Sequence, residues 1–240
     1  FVFYLIAALF LMGILRNITE IGDTSRLIIV LIFALLPFNT ARITLICFPY
    51  ALCNMLFFFG FWVLTRFLVN KNNILRLVTL VLFFFSFFTH SFLAFYFIIF
   101  LYIAYIEKEI PHDIKSIFTF GRKYLDFILL PFIFFGLKNI FFRPYGLYTD
   151  YNKFSLGIIN PCIWIKSFFM TFYNGIIEII PSTGFQIALF SLLFILLVYY
   201  FYKNKYDFET INEYNLIFFI CGCLMYLLAI FPYIMVGKVP

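Results

Sequence analysis

A few polar residues interrupt an otherwise apolar sequence, and their side chains define the chemistry open to it. Arg42 carries a planar fork of hydrogen-bond donors that suits a phosphate or pyrophosphate. A guanidinium inside an apolar region is unfavourable unless it meets water, a carboxylate or an anionic ligand. A structural pair with Asp150 or Glu178, or a side chain that extends to a polar surface, is the open alternative. Arg42 is therefore a candidate for binding an anionic substrate group.

His90 lies between Thr89 and Ser91, near the middle of the long apolar run Leu77–Ile106. An imidazole at this position could act as a base, a proton relay or a hydrogen-bond donor. A neutral histidine that caps a broken helix fits the same residues equally well. His90 is thus a catalytic candidate with a structural alternative.

Two carboxylates, Asp150 and Glu178, are candidates for general acid/base catalysis. Asp150 belongs to the stretch 143–152 (RPYGLYTDYN), which combines turn-forming residues with three tyrosines, one acid and one arginine. Tyrosine rings and Asp or Asn side chains commonly bind sugars, whereas an ordinary loop with tyrosines at a membrane interface is the alternative. The substrate-binding candidates beside Arg42 are Arg143, Tyr145, Tyr148, Tyr151 and Asn152.

The sequence gives no reason to expect a metal or a cofactor. Its five cysteines are scattered, and four of them lie in apolar runs where they act as small hydrophobic residues. No phosphate-binding glycine loop, GxGxxG, HExxH or CxxC motif occurs. The net charge of +6 comes from Lys and Arg that border apolar runs, so we expect membrane lipid and no nucleic acid as a partner.

Composition points to a membrane as the solvent of this chain. Hydrophobic residues make up 65% of the chain and charged residues 12%, and the mean hydropathy is +1.05. A soluble domain of this size would need far more charge to cover its apolar surface. We predict an all-α, polytopic transmembrane bundle. The chain begins and ends within loop-like or apolar sequence, so we expect one membrane domain, 1–240, truncated at both ends.

A transmembrane helix needs about 20 apolar residues. The stretches that qualify or nearly do are Ile43–Leu64, Leu125–Phe142, Phe185–Tyr202 and Leu216–Val236. Two others are less regular: Leu27–Phe38 is short, and Leu77–Ile106 is either one long tilted helix or two short helices meeting at Thr89–Ser91. If both irregular stretches fold back, the loops 16–26, 65–76, 107–124 and 203–215 share one face, which is then the more basic and hence cytoplasmic one.

Two segments between the spans are expected to lie at the membrane surface. Residues 107–124 mix both charge signs with apolar residues, which is typical of a cytoplasmic interfacial segment. On the other face, 143–181 is predicted to be an extracytoplasmic loop followed by an amphipathic helix. Asn160 and Pro161 mark the start of that helix and Pro181 its end, and Ser167, Thr171, Asn174 and Glu178 follow one side of it.

Three stretches resemble bacterial multi-pass proteins of surface-polysaccharide assembly, namely SFFTHS at 86–91, PYGLYTDYN at 144–152 and FPYIMVGKVP at 231–240. Proteins of that type use polyprenyl-linked sugars, and the resemblance implies a place in the bacterial cytoplasmic (inner) membrane. The resemblance implies a glycosyltransferase or polysaccharide polymerase, in which Arg42 and Arg143 hold the lipid pyrophosphate and Asp150 or Glu178 serves as acid/base. The acidic pair often found in the first external loop of such enzymes is not visible here.

Two other classes of function remain open from the sequence. A secondary transporter or flippase would line a path for an anionic solute or a lipid-linked substrate with Arg42, His90 and Glu178. A non-catalytic membrane subunit would use the polar external loops to bind a partner protein.

Overall fold

A computed structural model describes residues 2–35, 48–89, 91–107, 114–141 and 161–179, with scattered positions between 192 and 231. The chain forms helices throughout these ranges and no strand, which confirms the all-α class. The helices are α1 (Val2–Leu15), α2 (Asp23–Leu35), α3 (Phe48–Asn70), α4 (Asn73–Ser86), α5 (Ser91–Phe95), α6 (Phe97–Glu107), α7 (Ile114–Lys123), α8 (Leu125–Phe141) and α9 (Pro161–Ile179).

Among the described residues, α3 alone is both long and apolar enough to cross a membrane by itself. The pair α7–α8 has the required length and composition only when taken together, and its two helices meet at a bend of 66°. α1, α4 and the stretch Ser91–Glu107 are apolar but shorter. The predicted spans Phe185–Tyr202 and Leu216–Val236 lie largely outside the described residues.

Several helix boundaries follow the sequence signals. α8 begins at Leu125 and continues through Pro131, and α9 begins at Pro161 as the Asn160-Pro161 pair predicts. α3 differs from the predicted span Ile43–Leu64, because the helix continues past Arg66 to Asn70. The Arg66 guanidinium lies 5.3 Å from the centre of the Trp62 ring, so this cation finds a favourable position on the helix itself.

The long apolar run Leu77–Ile106 is broken rather than continuous. α4 ends at Ser86 and α5 begins at Ser91, so the alternative of short helices meeting near Thr89–Ser91 is confirmed. The break lies near the start of α3, because the Cys53 thiol donates to the Phe85 carbonyl over 3.8 Å. Cys53 is five residues into α3, or about 8 Å along its axis.

A tight turn joins α3 to α4 and makes the two helices antiparallel. Lys71 adopts a left-handed backbone conformation with φ of 51°, which costs a non-glycine residue about 1 kcal/mol. Asn72 then caps α4, because its side-chain oxygen accepts a hydrogen bond of 2.8 Å from the Ile74 amide. Close packing along the hairpin depends on Gly60, where an added Cβ would lie 3.2 Å from Leu82 and Phe83 atoms.

The fold-back also brings α8 alongside α4, with both helices running in the same direction. Asp126 faces Arg76 near the start of the pair, and Phe134 meets Phe84 further along at a ring distance of 5.4 Å. The buried Tyr96 hydroxyl donates to the Phe127 carbonyl over 3.1 Å and ties the α5–α6 segment to α8. A core of aromatic rings fills the space between these helices.

α1 packs against α3 and runs parallel to it. Phe3 contacts Phe48 at a ring distance of 5.3 Å, and Phe10 stacks on Phe59 at 4.7 Å. The bundle therefore has two distinct ends. We call one of them the ionic end; α1, α3, α6 and α7 finish there, and α2, α4 and α8 start there. At the opposite end lie the first residues of α1 and α3 and the last residue of α8, Phe141.

Candidate functional site

Five charged side chains, from four helix ends and one interhelical turn, meet at the ionic end of the bundle. They come from the α3–α4 turn, the first turn of α4, the last residue of α6, the last residue of α7 and the first turn of α8. We call them the ionic cluster, and its members are Lys71, Arg76, Glu107, Lys123 and Asp126.

Glu107 is the centre of one half of this cluster. Its carboxylate accepts hydrogen bonds of 2.6 Å from the Lys71 and Lys123 ammonium groups, one on each oxygen. Its side chain is only 7% exposed, whereas the two lysines are half-exposed. Burial opposes ionisation, but the hydrogen bonds from Lys123 and Lys71 outweigh it and lower the pKa of Glu107 from 4.5 to about 2. Glu107 is therefore a permanent anion near neutral pH and not a proton carrier.

Arg76 and Asp126 form the other half. The Arg76 guanidinium donates two hydrogen bonds of 2.6 Å to the two Asp126 oxygens, which is the bidentate geometry favoured by this pair. A third donor contacts the Lys123 carbonyl at 2.8 Å. The guanidinium also lies within 6.0 Å of the ring centres of Phe67, Tyr124 and Phe127. Arg76 thus fixes the start of α8 and the end of α7 against the α3–α4 hairpin.

The loop between α1 and α2 joins the same end. The Tyr105 hydroxyl donates to the Glu20 carboxylate, and the Arg26 guanidinium donates to the Ile18 carbonyl over 2.7 Å. Loops 16–26 and 65–76 and the end of α6 are therefore at one end of the bundle. The fourth loop predicted for this face, 203–215, lies outside the described residues.

The cluster is chemically suited to clamping helix ends and not to turning over a substrate. Each of its carboxylates is held by cations from other helix ends or turns, which is the arrangement of a structural ion-pair cluster. Within the described ranges, no group of three His, Cys, Asp or Glu side chains is arranged to hold a metal ion.

The residues predicted to carry catalysis and substrate binding fall outside the part of the chain that the structure describes. These are His90, Asp150, Arg42, Arg143, Tyr145, Tyr148, Tyr151 and Asn152. Glu178 lies in the last turn of α9, but its side chain is likewise outside the described set. Ser167, which starts the predicted polar side of α9, is buried, while Phe169 is exposed. The polar side of α9 therefore packs against protein at Ser167, the first of its predicted polar residues.

Sequence reasoning assigned Lys71, Arg76 and Lys123 to the basic face but missed their acidic partners. Glu107 and Asp126 each lie at the end of an apolar run, where an acid among cations signals a specific ion pair. The spacing along the chain gives no indication of which cation each acid meets, because the partners are 16 to 50 residues apart.

Comparison with protein-family models, curated proteins and solved structures gave no match for this chain.

Proposed function

We propose that this chain is a polytopic helical protein of a bacterial cytoplasmic membrane that transfers or polymerises saccharide from a polyprenyl-phosphate-linked donor at the extracytoplasmic face. The observation that carries the proposal is the polarity of the bundle. Charged groups gather at one end, apolar side chains cover the outside, and the described residues that flank the candidate site lie toward the other end.

The outward side chains support the membrane placement. On α8, Phe132, Ile140 and Phe141 are each more than 60% exposed, as is Leu9 on α1, and Phe85 on α4 is half-exposed. Large apolar side chains exposed together along several helices are unfavourable in water and favourable in lipid.

The ionic end supports the orientation. Besides the clustered cations, the loops and helix ends there carry Arg16, Arg26, Arg66, Lys115 and Arg122. Loops rich in Lys and Arg stay in the cytoplasm, so the ionic end faces inward in this proposal.

Chain continuity supports a shared external face for the candidate residues. Segment 36–47, which contains Arg42, leads directly into the start of α3 at Phe48. His90 follows Thr89 at the break after α4, and Arg143 comes two residues after Phe141 at the end of α8. All three flanking residues lie away from the ionic end. In the proposed reaction Arg42 and Arg143 hold the pyrophosphate and Asp150 or Glu178 acts as acid/base, as the resemblance implies.

The test is the pool of polyprenyl-linked saccharides in the native host, measured by mass spectrometry with and without the gene. We expect an undersized lipid-linked saccharide to accumulate without it. Complementation with Arg42→Ala or Arg143→Ala should lower product formation by on the order of 10²-fold, because a preorganised cation that stabilises a developing anion contributes about that much.

The matched control is Lys153→Ala. It removes a cation next to the stretch 143–152, and Lys153 has no assigned role in the proposed reaction. It should restore the normal pool. An unchanged pool on deletion would contradict the glycan proposal, and the broken helix at 86–91 would then favour a carrier for an anionic solute.

A further inference from the structure

α7 presents apolar side chains to two different surroundings. Phe120 faces inward and contacts Tyr124 at a ring distance of 5.1 Å, and it packs on the aromatic core. Ile117 and Phe118 point outward and are 54% and 76% exposed. The inward side fixes the helix to the bundle, which leaves the outward apolar pair to be covered by something else.

Among the residues that the structure describes, the charges beside that apolar pair on α7 are positive. Lys115 and Arg122 are seven residues apart and so lie on the same side of the helix, next to Phe118. Both are exposed, and neither makes an ion pair within the ranges that the structure describes. α7 itself contains no acidic residue. Whatever covers Ile117 and Phe118 therefore presents negative charge next to an apolar layer.

The direction of α7 fits a membrane surface. It meets α8 at a bend of 66° at the ionic end, so it lies closer to perpendicular than parallel to the spanning direction of α8. A helix in that position can insert large apolar side chains below the headgroups while long basic side chains reach the phosphates.

We infer that α7 lies in the cytoplasmic headgroup layer and preferentially binds anionic phospholipid, with Ile117 and Phe118 in the acyl boundary and Lys115 and Arg122 on the headgroup phosphates. The inference rests on the proposed membrane placement. A preference of roughly 10- to 30-fold over zwitterionic lipid is expected, because each of the two basic side chains near an anionic surface adds about fivefold.

The test uses the purified full chain in vesicles that contain brominated phospholipid, which quenches a nearby tryptophan. In a background with Trp62→Phe and Trp164→Phe, one variant carries Phe118→Trp and a matched variant carries Phe132→Trp, an exposed α8 position remote from these cations. We expect brominated phosphatidylglycerol to quench the reporter at 118 more efficiently than brominated phosphatidylcholine. The reporter at 132 should be quenched equally by both lipids. Lys115→Gln with Arg122→Gln should abolish the preference at 118.

Each other outcome overturns a defined part of the inference. Equal quenching at 118 by both lipids would remove the anionic selectivity. Quenching at 132 without quenching at 118 would show that α7 lies away from lipid, as it would if a protein partner covered Ile117 and Phe118. Absence of quenching at both positions would contradict the membrane placement itself, and the inference would fall with it.

Discussion

Glu107 forms ion pairs with lysines from two different parts of the chain, and it thereby connects α6 to α7 and to the α3–α4 turn. Lys71 also adopts a left-handed backbone conformation that is unfavourable for lysine, and its ammonium group donates to Glu107 from this turn. A buried, doubly paired carboxylate of this kind stabilises one arrangement of helix ends over others.

We predict that acidification weakens the bundle through Glu107. Because the pKa of this group is lowered from 4.5 to about 2 on folding, its stabilising contribution is complete above pH 5 and is lost as the pH falls from about 4.5 towards 2. The midpoint of thermal unfolding of the wild type should therefore drop through this range. Glu107→Gln should be less stable at pH 7, and its difference from the wild type should shrink below pH 4.5. A difference that stays constant down to pH 2.5 would contradict the assigned pairing.

For single residues, the sequence predicts the face on which a charge lies better than it predicts the residue with which that charge pairs. Lys71, Arg76 and Lys123 could be placed on one face because loops and apolar runs alternate. Their pairing with Glu107 and Asp126 depends on how helices distant in sequence pack, which periodicity does not encode. The residues expected to do chemistry, such as Arg42 and Asp150, remain predictions.

α3 and α4 pack closely along their hairpin, and a glycine allows it. At Gly60 a side chain would meet Leu82 and Phe83 atoms at 3.2 to 3.3 Å, closer than ordinary van der Waals contact. Both of those neighbours belong to α4, and Phe83 is fully buried.

We predict that Gly60→Leu destabilises the folded protein by about 1–3 kcal/mol, because overpacking forces the helices apart. Gly136→Leu is the control, since Gly136 is also helical and an added Cβ there meets nothing within 4 Å. The control should be neutral or stabilising by up to about 1 kcal/mol, as glycine is a poor helix former. Unfolding in mild detergent measures both. Equal effects of the two changes would contradict the close approach of α3 and α4.

The elements themselves were largely predictable where a local signal marks a boundary. Asn160-Pro161 predicted the start of α9, and the polar residues at 89–91 predicted the break after α4. The prediction failed at the end of α3, because a charged residue such as Arg66 seemed to end an apolar span. The cation instead lies over the Trp62 ring, a contact that becomes evident only once the helix is built.

At the scale of the whole molecule, the asymmetry between the ionic end and the opposite end connects structure to proposed function. The helices run alternately towards and away from the ionic cluster. The charged turns and helix ends therefore meet at the ionic end, even though they are far apart in sequence. Composition predicts the apolar exterior, and the charge distribution predicts which loops share a face. Neither composition nor charge distribution predicts the substrate, because a binding site depends on distances between side chains that the sequence does not specify.

The most direct test of the account is the sidedness of the two ends. In a variant without the five native cysteines, Thr119→Cys on α7 and Tyr148→Cys in the loop 143–152 would each be exposed to a membrane-impermeant maleimide on intact bacterial cells. We predict labelling at 148 in intact cells and labelling at 119 only after permeabilisation. Labelling at 119 from outside, or release of the protein from membranes by alkaline carbonate, would contradict a membrane bundle with a cytoplasmic ionic end.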